Sequence, residues 1–138
     1  MKHDDESLDR IYMRTNGRCH ICRKQLARRS HGNVGERGAW EVDHSVPRSK
    51  GGRDHGNNFF PACVPCNRSK SNSSSARARA EHGYTRSPYS PAEREANTLI
   101  GGGIGLLLAL LVPPPVRIGA AIVFGLIGAV VGNDLEPD

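Results

Sequence analysis

Apolar positions fall in short clusters over the first ninety residues and in two long runs after them. Leu8, Ile11 and Tyr12 share one stripe at i, i+3, i+4 spacing. This predicts a short helix from Ser7 to about Met13, with Ser7 as its cap and Asn16-Gly17 as its stop. Residues 25–39 are rich in Arg, Gly, Ser and His and read as a loop. Trp40-Glu41-Val42-Asp43 then alternates apolar and polar as a short strand does, and Pro47 with Gly51-Gly52 ends it in an irregular connection. Asn58-Phe59-Phe60 reads as a second short strand or turn, and Asn67 to Ser71 as the start of a helix. Strand, loop, strand and helix in that order predict a small α+β domain.

Residues 71–92 combine serine, arginine and proline with hardly any large aliphatics, so they offer too little apolar surface to offset the entropy of folding and are expected to form a tether. Two apolar runs follow, at 99–112 and 116–132, divided by Pro113-Pro114-Pro115. As helices they measure ~21–26 Å, against ~30 Å for the hydrocarbon core of a bilayer. Flanking residues would complete a span, and glycines at 101 and 105 and at 128 and 132 allow helices to approach closely. The expectation is a transmembrane α-helical hairpin. A hairpin buried between subunits, or packed on the first domain, is its rival. The boundaries that follow are a folded domain over 1–72, a linker over 73–95, an apolar helical hairpin over 96–132 and an acidic tail over 133–138.

Charge is unevenly spread. Residues 1–98 hold 18 of the 19 Lys and Arg and 11 of the 14 Asp and Glu, a net of +7, so the front of the chain is a basic body suited to a polyanion. The N-terminal MKHDDESLDR lacks the basic start and apolar core of a secretory signal, which predicts a reducing, cytoplasmic setting. Four cysteines form two CxxC pairs, Cys19/Cys22 and Cys63/Cys66, with 40 residues between the pairs. Such spacing is that of a metal site, and four thiolates close a tetrahedral zinc shell, leaving no position for water or substrate. Such a zinc holds the fold.

Chemistry must then come from the segment between the knuckles, where Asp43 and His44 lie side by side. Phosphodiester hydrolysis needs an activated water, which His44 can supply, and a cation at the phosphate, which Asp43 can help hold. Adjacent strand residues face opposite ways, so the two converge only if the strand ends or bulges near His44.

With Arg18-Cys19 upstream, Asp43-His44, Gly51-Gly52, Asn58, Cys63-x-x-Cys66-Asn67 and Lys70 in order, the stretch from about residue 7 to 72 resembles the HNH endonuclease family. The resemblance implies a ββα-metal fold. It implies His44 as the general base, Asp43 and Asn67 as ligands of a catalytic Mg2+ or Mn2+, and Asn58 as the residue that orients the His44 ring. Asn67 stands where some members have histidine, a change that keeps an oxygen ligand. Arg48, Lys50, Arg53, Arg68 and Lys70 would position nucleic acid, double-stranded DNA in the first place, with Arg77 and Arg79 extending the track. The implied activity is that of an endonuclease at the cytoplasmic face of a membrane, or in a soluble cytoplasmic oligomer. Its rivals are a zinc module that binds nucleic acid without cutting and a membrane-active peptide carried by a small domain. Glu41 shares a strand face with Asp43 and is expected either to support the site or to be exposed, and the remaining histidines, His20 among them, are expected in loops or at the surface.

Overall fold

A computed structural model describes residues 3–111 and 117–134, which form two compact units joined in sequence at Ser90 and Pro91. The first unit begins with helix α1, Asp5–Met13. Its cap is Asp4, not Ser7: the Asp4 carboxylate accepts from the Ser7 backbone N–H at 2.7 Å. The helix therefore starts earlier than expected, with Asp5 and Glu6 in the first turn, where carboxylates meet the positive end of the helix dipole. Leu8 and Ile11 are buried as the stripe requires, and the Tyr12 hydroxyl donates to the Leu26 carbonyl at 2.9 Å.

Strands β1, Trp40–His44, and β2, Phe59–Cys63, pair antiparallel with Trp40 opposite Cys63, Asp43 opposite Phe60 and His44 opposite Phe59. Helix α2, Val64–Lys70, follows β2 directly, with Pro65 in its first turn, where a missing N–H costs nothing. It starts three residues before the expected position, and Cys66 thereby lies inside it. Trp40 is the centre of the core: it is fully buried, its indole N–H donates to the Ala27 carbonyl at 3.1 Å, and Leu8, Ile11, Ile21, Leu26 and Phe59 join its cluster.

Where a tether is expected, residues Ser75–Ala80 form a further helix, α3, capped by Ser74. The segment has hardly any large aliphatics, and this helix enters the core on small residues instead. Ala78 belongs to the central cluster, Ser75 is buried, and the Ser75 N–H donates to the Ser45 carbonyl at 3.1 Å. The folded unit thus runs past residue 72, and Pro88 is fully buried as well.

The second unit pairs helix α4, Pro91–Ala109, with helix α5, Arg117–Asp134. Gly105 faces the Phe124 carbonyl and Gly128 faces the Gly101 carbonyl, which makes the pair antiparallel. A Cβ on Gly105 would lie 1.9 Å from the Phe124 oxygen, so the backbones approach as closely as only glycine permits. A hairpin of helices is therefore present, but its reading as a transmembrane element is corrected: among the described residues no helix is long and apolar enough to cross a membrane. Glycines dilute both runs, α4 spends its first two turns on PAEREANT, and α5 ends on Asn133-Asp134. The triple proline and residues 135–138 lie outside the described residues.

Two substitutions test these packings. Trp40→Ala removes the central side chain of a small core and is expected to cost about 3–5 kcal/mol, read from denaturant unfolding by circular dichroism. Gly105→Val places a branched side chain against backbone and is expected to cost the helix pair about 1–3 kcal/mol, read as a lower midpoint in helical melting. An unchanged melting curve for Gly105→Val would contradict the close crossing.

Candidate active site

The four cysteines meet at one point. Their sulfurs lie within 4.8 Å of one another, and Cys22 Sγ is 3.7 Å from Cys63 Sγ. A tetrahedral zinc with Zn–S bonds of about 2.3 Å would set its sulfurs roughly 3.8 Å apart, so the donor set fits. Hydrogen bonds from Cys22, Cys63 and Cys66 hold the Cys19 thiol far below its ordinary range. Hydrogen bonding to Cys19, burial and the charge of the Cys19 thiolate push Cys63 and Cys66 up. Cys66 Sγ also lies 3.8 Å from His82 Nε2.

Asp43 and His44 border one cleft of about 480 Å³, together with Pro47, Arg48, Asn67 and Lys70. They converge because β1 ends at His44: the next residue, Ser45, donates its N–H to the Asn58 carbonyl at 2.8 Å and the chain turns away. The turn depends on Gly52, where a Cβ would fall 1.8 Å from the Val46 carbonyl oxygen.

Asp43 is buried, and its partners arrive from three segments. Oδ2 bonds His20 Nε2 at 2.8 Å and lies 3.5 Å from Ser75 Oγ; Oδ1 accepts from Lys70 Nζ at 2.9 Å. Arg79 Nη1 approaches His20 Nδ1 at 3.4 Å. A guanidinium can only donate, so Nδ1 accepts, and Nε2 carries the proton given to Asp43. Burial lowers the pKa of Arg79, and the Asp43 charge works against that shift. His20 lies in a turn, as a loop residue would, but it is fully buried with its ring stacked on Phe60 and is not at the surface. Lys70 is corrected too. It does not stand out toward phosphate but is buried, with Nζ bonded to Asp43 and to the His44 carbonyl at 2.8 Å.

His44 Nε2 bonds Asp54 Oδ1 at 2.7 Å, and the ring stands edge-on to Phe59 with centroids 5.0 Å apart. Arg48 closes on the same carboxylate with two bonds of 2.8 Å. The contacts from His44 and then Arg48 hold the Asp54 pKa below 3.8. An ionised Asp54 accepts the Nε2 proton and leaves Nδ1 as the acceptor of the ring.

Asn58 does not orient that ring. Its Nδ2 donates to the Val46 and Arg53 carbonyls at 3.0 and 3.1 Å, and its Oδ1 accepts from the Val46 N–H at 2.8 Å. Every bond of this amide goes to loop backbone, and Asp54 takes the orienting position. Asn67 donates Nδ2 to Glu41 Oε2 at 2.7 Å, which leaves Oδ1 as an acceptor beside the cleft. Glu41 is half-buried and is also 3.8 Å from the Arg68 guanidinium, so of its two expected placements it takes the one that supports a site residue. Lys50 and Arg53 are exposed on the loop between the strands.

His20, Asp54 and Ser75 are therefore site residues that sequence reasoning missed. His20 carried one available signal, its place between two thiolate ligands. Asp54 carried none, because only the return of the loop brings it to His44.

The oxygens at this site suit a hard cation: a carboxylate oxygen of Asp43 and the carbonyl of His44 converge on one positive charge, the Lys70 ammonium, with Asn67 bordering the same cleft. No curated protein and no solved structure matches the chain. Residues 19–73, which contain both knuckles, the two strands, α2 and every member of the cleft from Val42 to Asn72, match the family model of the HNH endonuclease.

Proposed function

We propose that this domain is a metal-dependent endonuclease that hydrolyses phosphodiester bonds of DNA. The observation that carries the reading is His44 held by Asp54 at the edge of a cleft that it shares with Asp43 and Asn67. His44 Nδ1 takes the proton of the attacking water, and Asp54, fixed by Arg48, holds the ring and stabilises the imidazolium that results. Asp43 and Asn67 would hold a divalent ion, Mg2+ or Mn2+, whose chemistry is to neutralise charge on the phosphate and the leaving oxygen. Lys50, Arg53 and Arg68, all exposed and close in sequence to residues of the cleft, would position the phosphate backbone without reading bases. Zinc at the four cysteines would be structural, since a closed thiolate shell has no open position.

The rival reading, a zinc module that binds nucleic acid without cutting, shares every one of these charges but gives no role to the paired His44 and Asp54.

Purified protein is expected to carry one zinc per chain, and prolonged chelation or Cys22→Ser should lower its melting temperature sharply, because metal binding and folding are one equilibrium. With Mg2+ or Mn2+ it should nick or linearise supercoiled plasmid. His44→Ala should slow cutting by about 10²–10⁴-fold with zinc content and DNA binding intact, and Asp54→Asn by about tenfold or more. Equal cutting by the wild type and His44→Ala would sink the catalytic assignment. Because the folded Asp54 pKa is depressed, its bond to His44 is present above the ordinary carboxylate value of 3.8 and is lost only as pH falls through the lower one. The Asp54 partnership is therefore intact throughout any neutral or mildly acidic assay.

A further inference from the structure

We propose that Lys70 is a resident cation of the active site, which gives up Asp43 when a divalent ion binds and turns toward the phosphate in the cleft. The inference rests on the endonuclease reading, because it assumes a divalent ion held by Asp43 and Asn67.

The Lys70 ammonium is bonded as a metal ion would be, to one carboxylate oxygen at 2.9 Å and one backbone carbonyl at 2.8 Å, with its side chain 1% exposed. Surface lysines that steer phosphates are not shut away in this manner. Lys70 also follows Asn67 by three residues on α2, so the two side chains project from the same helix face, and both border the cleft. A divalent ion between Asp43 and Asn67 would therefore stand beside the ammonium and share its carboxylate. Two neighbouring cations on one buried acid repel, and the lysine, on its flexible four-carbon stem, is the one that can leave.

Asp43 itself is able to lose this partner without moving. His20 and Ser75 lie at Oδ2, whereas Lys70 lies at Oδ1, so departure of the lysine frees one oxygen and leaves the other bonded to the zinc knuckle. Ser71 and Asn72 at the mouth of the cleft are exposed, which gives the displaced ammonium a path outward on the side where a phosphate would lie. The lysine thus keeps the buried acid paired before metal arrives and supplies a phosphate contact afterwards.

Lysine acylation followed by mass spectrometry tests the exchange on the zinc-loaded full chain, with the exposed Lys24 and Lys50 as internal references. Without divalent metal, Lys70 is expected to react at least about tenfold more slowly than the references, and saturating Mn2+ should raise its rate by about fivefold or more while theirs stay constant. Occupancy is read separately from the electron paramagnetic resonance signal of Mn2+, and sodium chloride of equal ionic strength should have no effect. Asp43→Asn, where it folds, should expose Lys70 without metal. Protection of Lys70 that persists at full Mn2+ occupancy, in protein that still cuts plasmid, overturns the exchange and leaves the endonuclease reading standing. Protein that neither binds Mn2+ nor cuts overturns both.

Discussion

A carboxylate removed from water must be matched by donors, and Asp43 draws its donors from segments that are far apart in the chain. His20 comes from the first cysteine knuckle, Lys70 from the end of α2 and Ser75 from the start of α3, at separations of 23, 27 and 32 residues. Removing one partner of a buried pair leaves an uncompensated charge, which costs far more than the pair contributes, so each of these segments is constrained by the same acid. The knuckle, the sheet and both short helices are thereby held in register around one side chain. The four sulfurs reinforce that arrangement from the opposite end of the knuckle, since Cys19 and Cys22 flank His20 while Cys63 and Cys66 close β2 and open α2.

Through this coupling a metal at the cysteines would have an influence beyond stability. His20 is fully buried, its backbone N–H donates to the Pro61 carbonyl at 3.0 Å, its ring stacks on Phe60 and its Nε2–H reaches Asp43. Any loosening of the knuckle therefore shifts a direct partner of the acid that borders the cleft. The thiolate cluster shapes the site through one histidine as well as through the fold.

What the sequence made legible are the features that depend on neighbours in the chain. The CxxC pairs, the alternation of Trp40 to Asp43, the Asp43-His44 step and the stripe of α1 all declare themselves within a few residues, and each occupies the element expected of it. The residues that were misjudged depend on partners at a distance. Lys70 looks like its exposed neighbour Arg68 until α2 is placed against β1. Asp54 looks like one more loop charge until the loop folds back on His44. Helix α3 was hidden for another reason: Ser75 and Ala78 pack by being small, and a count of large aliphatics registers neither. The apolar tail erred in the opposite direction, because its runs of leucine and isoleucine outweighed the glycines and polar turns that interrupt them.

The loop from Ser45 to Asn58 shows how a site can use polar residues for two separate tasks. Asn58 commits its whole amide to Val46 and Arg53, tying together the two ends of the loop, and Gly52 lets the chain pass beneath the Val46 carbonyl. A loop fixed by its own backbone can spare its charged side chains, and it is this that leaves Asp54 free to meet His44 while Arg48 clamps the carboxylate from the other side. Had Asn58 turned to the histidine, the loop would have lost three backbone bonds to gain one ring contact, and the acceptor would have been a neutral amide. The charged Asp54 stabilises a protonated imidazole far better than an amide oxygen can, so the division of labour would suit the general-base role proposed for His44.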